Sequence, residues 1–108
     1  GDVGNIVLRD RQHLSEDGIM IVVMTLERHS KVVLAGPDIV SRGFVYVRES
    51  EDLMEDAKEV VENALDSCLE RNITDWGKIK NTVKDALSDF LWKRTKRSPM
   101  ILPIIMEA

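Results

Sequence analysis

Cysteine is the scarcest chemistry-bearing residue in this chain, and its scarcity excludes a good deal. With Cys68 alone among 108 residues, neither an internal disulfide nor a cysteine-rich zinc site is possible, and a reducing compartment, the cytoplasm, is expected. Histidine is almost as rare. His13 and His29 have no second ligand beside them at a metal spacing, and a solvated histidine is the simpler reading of each. Glycine-rich phosphate loops are missing: Gly36 and Gly43 lie seven residues apart and match neither phosphate-binding pattern. Long apolar runs are missing too. The two longest, residues 19–24 and 100–106, fall far short of the roughly 20 residues that cross a bilayer, and Pro103 interrupts the second. A soluble chain without a membrane partner is expected. The first residues, Gly1-Asp2-Val3-Gly4, contain no basic segment leading into an apolar one, so no secretory signal is expected. A start without methionine suggests a piece cut from a longer chain.

What is present is a globular composition, 44% hydrophobic and 31% charged, with no low-complexity tract. A length of 108 residues suits one domain with one core. The net charge is −4, but its distribution is uneven. Between Glu49 and Arg71 stand nine acids against Lys58 and Arg71, whereas Lys93, Arg94, Lys96 and Arg97 cluster near the end.

Residues 5–18 carry Ile6, Val7, Leu8 and Leu14 and end in a turn-like Ser15-Glu16-Asp17-Gly18; they read as an arm leading into the domain. Residues 19–26 are rich in branched side chains and bounded by Gly18 and by polar residues 27–31, which predicts a strand followed by a hairpin turn. The return strand is expected to begin at Val32, to bulge or bend at Gly36-Pro37-Asp38, and to finish at residues 44–47, because proline lacks a ladder donor and glycine permits unusual backbone angles. Within it, Ser41-Arg42-Gly43 reads as a bend in which Gly43 relieves strain.

Ser50, with Glu51 and Asp52 behind it, predicts a helix start. Leu53, Ala57, Val60, Val61, Ala64, Leu65, Cys68 and Leu69 then recur at steps of three and four, an apolar stripe opposite an acidic face. Thr74 or Asp75 is expected to cap a second helix with Ile79, Val83, Ala86, Leu87, Phe90 and Leu91 inward, and Ser98-Pro99 to stop it. Residues 100–106 form a last strand, at an edge because it carries Pro103. The order strand, strand, helix, helix, strand predicts an α+β fold, a three-stranded sheet with two helices on one face. Placing the first strand in the middle makes the last one parallel to it.

That sheet has one apolar face too many. Side chains alternate along a strand, so Met20, Val22, Met24 and Leu26 share one side and Ile19, Ile21 and Val23 the other. Residues 100–106 repeat this duplication. Two helices cover one face only, and some three or four wet apolar side chains forgo roughly 1.5 to 3 kcal/mol each. The cover is either the arm, through Ile6, Leu8 and Leu14, or another subunit or domain. Met20, Val22, Met24, Ile101 and Ile105 are taken as the candidate contact residues, with the face that meets the helices left open.

Other chemistry is thin. Cys68 sits on the apolar stripe without a nearby basic partner, as a small core residue does. The acids gather on one helix face, as solubility alone requires. Lys93, Arg94, Lys96 and Arg97 beside Trp92, with Arg42 as an outlier, are candidates for RNA contact, offering charge for phosphates and a ring for stacking. Cations also suit a helix C-terminus.

The wording of three stretches adds to this pattern. "GNIVLRDRQHLSEDGI", "PDIVSRGFVYVRES" and "TKRSPMILPIIMEA" together resemble the C-terminal region of bacterial ribonuclease J, a β-CASP enzyme of the metallo-β-lactamase superfamily, over essentially the whole chain. The resemblance implies a parent that processes and degrades RNA, 5′ to 3′ and internally, with a two-zinc centre. The His-x-His-x-Asp-His type of motif that holds zinc belongs to an upstream lactamase domain and does not occur here. It also implies that residues 1–18 end a linker, that residues 19–108 form a C-terminal domain associated with dimer formation, and that the partners are the parent's lactamase and β-CASP domains and a second subunit. No DNA partner is implied. The resemblance carries no catalytic, cofactor-binding or metal-binding residue onto this chain.

Overall fold

The computed structural model describes residues 17–44 and 50–108. The arm at residues 1–16, His13 included, and the expected strand end at residues 45–47 lie outside the described residues. Three strands, β1 (Ile19–Leu26), β2 (Val33–Arg42) and β3 (Met100–Glu107), and two helices, α1 (Ser50–Glu70) and α2 (Trp76–Thr95), follow one another in the order β1, β2, α1, α2, β3. β1 lies in the middle of the sheet, antiparallel to β2 and parallel to β3. The expected α+β architecture is the observed one.

β2 departs from its expected course at its two ends: it starts at Val33 and stops at Arg42, and Phe44 is buried but lies beyond the strand. The irregularity expected at Gly36-Pro37 is absorbed as register shifts: Val23 pairs with Asp38, Thr25 with Ala35 and Leu26 with Val33. β2 therefore spends two more residues than β1 over that stretch, as bulging at a sheet edge does. Gly36 sits at φ +88°, where a Cβ would come within 2.6 Å of the Val23 carbonyl oxygen and collide with it.

β3 shows how an edge strand accommodates proline. The Met100 amide donates to the Gly18 carbonyl (2.9 Å) and the Ala108 amide to Leu26 (3.0 Å). Backbone groups alternate direction along a strand as side chains do, so the even-numbered residues bond β1 and Ile101, Pro103, Ile105 and Glu107 turn their backbone outward. Pro103 thus lacks a donor where β1 needs none, and the free edge loses one of its donors.

Both helices form for local reasons. Asp75 caps α2, its carboxylate accepting from the Gly77 (2.8 Å) and Lys78 (3.4 Å) amides. Lys93 and Arg94 occupy the last turn, and Lys96, left-handed at φ 59°, closes it by donating to Trp92 (2.9 Å). The side chains of Ser50 and Glu51, expected at the start of α1, are outside the described set. Along α1, Leu53, Ala57, Val61, Leu65 and Cys68 are buried; along α2, Ile79, Val83, Leu87 and Leu91 are. They meet Met20, Val22, Met24 and Leu26 of β1 and Ile101 of β3 in one core, with Ile39 and Ile105 packed at its margin.

Candidate functional site

The core fixes which side of the sheet is roofed, and it is not the side assigned to contact. Met20, Val22 and Met24 are wholly buried and Ile101 is 4% exposed, all four in the core, while Ile105 packs partly buried against it. These five candidate contact residues therefore face the helices. The physical reason is parity: sequence alternation sorts residues into two sets, and the helices took this one.

The other set forms the helix-free face. Paired residues in a ladder point to the same side, so the registers lay out its rows. Arg42, Ile19 and Met100 make the first; Val40, Ile21 and Leu102 the second; Asp38, Val23 and Ile104 the third. Thr25 and Met106 continue it. Ile19, Ile21 and Val23 are half-buried by their neighbours. Val40 (43%), Leu102 (43%), Ile104 (37%) and Met106 (54%) are exposed, and together they form a contiguous apolar surface rather than scattered residues. A signal for this face does exist in the sequence. Thr25 is the one polar residue of β1 and shares a side with Ile19, Ile21 and Val23, and in β2 the charged Asp38 and Arg42 share the side of Val40.

Among the described strand residues, two charges stand on that face, Asp38 and Arg42. Neither Asp38 nor Arg42 has an ion-pair partner among the described residues; the Arg42 guanidinium reaches only the Ser41 carbonyl at 3.5 Å. Gly43, at φ +71°, sits beside Gly18, whose Cα a side chain there would touch. Ser41-Arg42-Gly43 is thus a strand end and a turn.

The basic cluster is largely neutralised by the chain itself. Lys93 pairs with Asp89 at 2.9 Å, Arg94 with Asp56 of α1 at 2.9 Å, and Arg97 with Asp17 at 3.6 Å, where the Asp17 carboxylate also accepts from the Ser98 amide. Lys96 lies 5.5 Å over the exposed Trp92 ring. Arg42 is at the same end of the sheet but on its helix-free face, whereas Lys93 and Arg94 lie on α2 in the opposite layer. Between the helices, Val60, Ala86, Phe90, Asp89, Lys93 and Arg94 line an open groove of about 510 Å³. Cys68 is buried in the core. Among the described residues no three His, Cys, Asp or Glu side chains stand together as a metal ion requires, and no helix is long and apolar enough to cross a membrane.

Comparison with known proteins gives a consistent result over the whole chain. The family model described as the ribonuclease J C-terminal domain matches residues 6–108. Ribonuclease J2 of Bacillus subtilis (strain 168) is 53% identical over 107 residues. Ribonuclease J 2 of Staphylococcus aureus (strain NCTC 8325 / PS 47) is 52% identical over 107 residues. In both cases the match covers 99% of this chain and 19% of the relative, so the chain spans about a fifth of the length of these proteins.

Proposed function

The chain belongs to the ribonuclease J C-terminal domain family, and on that premise we propose that it is the non-catalytic assembly domain of a larger RNA-processing and RNA-degrading nuclease. Residues 1–18 end the linker from the upstream part and residues 19–108 form the domain. The chemistry, 5′-to-3′ and internal RNA cleavage in the cytoplasm, belongs to upstream lactamase and β-CASP domains, with zinc held there; no step through zinc is assigned to this chain. The partners of the domain are those upstream domains and a second subunit.

One observation carries this reading: the sheet is roofed on one side and presents Val40, Leu102, Ile104 and Met106 to solvent on the other. Completing the burial of each gains about 1 kcal/mol, and a surface of that kind suits a protein partner better than a polyanion. An alternative role, an accessory RNA-binding module through Lys93, Arg94, Lys96, Arg97 and Arg42, has less support, since three of the cluster's four cations are already paired.

The test is Ile104→Glu in the full-length nuclease. The variant is expected to keep its secondary structure and its zinc content while losing subunit assembly in sedimentation and part of its RNA turnover. Unchanged assembly and turnover would sink the reading.

A further inference from the structure

Where the chain enters the domain it is gripped on two sides. The Asp17 carboxylate accepts from the Ser98 amide at 2.8 Å and pairs with the Arg97 guanidinium at 3.6 Å, both in the turn between α2 and β3. The Asp17 side chain is 19% exposed, the most shielded partner in any ion pair among the described residues, so solvent screens it least. The next residue is locked as well. The Gly18 carbonyl accepts from the Met100 amide (2.9 Å), and a Cβ on Gly18 would collide with the backbone of Arg42, Gly43 and Phe44. We infer that Asp17 and Gly18 form a pin that sets the direction in which the chain enters the domain, and so restricts the orientations open to the upstream part of the nuclease relative to the helix-free face.

This rests on residues 1–18 being the end of a linker, and three features of the molecule carry it further. A glycine at a domain entrance ordinarily serves as a hinge, because it turns with little hindrance about both its dihedrals. Gly18, at φ +82°, has the end of β2 on one side and the start of β3 bonded to it on the other, so it cannot turn. The segment that Asp17 grips is itself fixed. Lys96 closes α2 in the left-handed conformation, the Thr95 hydroxyl donates to the Leu91 carbonyl (2.7 Å) and accepts from the Arg97 amide (3.1 Å), and Pro99 is buried. The pin also bears directly on the helix-free face. Gly18 precedes Ile19, holds Met100 and abuts Arg42, and Arg42, Ile19 and Met100 are the first row of that face. Relative motion is the ordinary state of domains joined by a linker. A grip from a turn 81 residues along the chain opposes that motion at its root.

The test uses the full-length nuclease with one spin label at Lys84→Cys, exposed on α2, and another in the upstream part, read by double electron–electron resonance. Wild type is expected to give a narrow distribution of distances and Asp17→Ala one about twofold broader or more, with circular dichroism and sedimentation unchanged. Asp17→Asn keeps an acceptor for the Ser98 amide and loses the charge; Arg97→Gln removes the charge from the other side. Each is expected to broaden the distribution less than Asp17→Ala, and these two decide the matter if Asp17→Ala fails to fold. The core of the 108-residue chain is closed by its own helices, so the grip can also be measured on that chain alone. There the Ser98 amide is expected to exchange with deuterium about tenfold faster in Asp17→Ala, while the Leu87 amide, in the middle of α2, keeps its rate. Equal widths in wild type and the variants, or unchanged exchange at Ser98, would overturn the inference. Assembly that survives Ile104→Glu would strike the assembly reading and leave the pin standing, whereas equal widths together with loss of assembly on Ile104→Glu would strike the pin alone.

Discussion

At the scale of single residues, a few positions are set by backbone geometry and one by a carboxylate. Gly18 is at φ +82°, and a Cβ there would collide with the backbone of Arg42, Gly43 and Phe44. The start of β1 and the end of β2 close on each other only because that atom is missing. Gly18→Ala is expected to cost about 3 kcal/mol or more, from the left-handed backbone and the clash together, read as a shift in the urea midpoint. Glu27 holds the turn after β1 by accepting from the Ser30 and His29 amides. Those bonds, Ser30's first, draw its pKa below the ordinary 4.5. A depressed carboxylate stabilises the fold above its unfolded pKa, and that contribution is lost as pH falls through the lower folded value. The Glu27 carboxyl is expected to titrate below 4.5 by NMR, with the His29 and Ser30 amide shifts following the same curve. A midpoint at or above the ordinary value would show the turn to be held otherwise.

At the scale of elements, caps and edges are the features a sequence states openly. A cap at Thr74 or Asp75 was legible because a capping residue precedes an apolar periodicity, and the structure chooses Asp75, whose carboxylate accepts from two amides. Asp75→Ala is expected to cost about 1 kcal/mol of stability, measured by thermal or urea unfolding. Pro103 was equally legible as an edge residue. Its outward direction was not, since that depends on which residues of β3 bond β1, and the Met100 amide bonded to Gly18 settles it. Pro103→Val restores an outward donor to a free edge, and slow concentration-dependent association of the otherwise folded chain is expected by light scattering. The course of β2 was harder to read. The bulge at Gly36-Pro37 was legible, since two extra residues fit at an edge where no further strand must pair with them; the end of the strand at Arg42 was not.

For the molecule as a whole, the side of the sheet decides what a substitution does. Met24 is fully buried and Ile104 is 37% exposed, though both read as apolar strand residues. Met24→Glu places an unpaired charge in the core and is expected to unfold the chain, whereas Ile104→Glu is expected to leave its thermal midpoint nearly unchanged. The basic cluster gives a second contrast at this scale. Four cations engaging single-stranded RNA would give a slope of log affinity against log salt of about −3. With Lys93, Arg94 and Arg97 held by Asp89, Asp56 and Asp17, the slope for this chain is expected to be much shallower. Titration at two or more salt concentrations reads it directly.

The sequence by itself determined the elements, their order, the two sets of residues along each strand and the stripe each helix buries, because those follow from periods of two and of about 3.6 in a local stretch of chain. Only the tertiary structure decided which of the two sets lies under the helices. Both sets in β1 and β3 are apolar, so alternation cannot choose between them; the choice is made where Leu53 to Cys68 of α1 and Ile79 to Leu91 of α2 close over Met20, Val22, Met24 and Leu26. That packing joins residues distant in the chain, and it is what leaves Val40, Leu102, Ile104 and Met106 facing out.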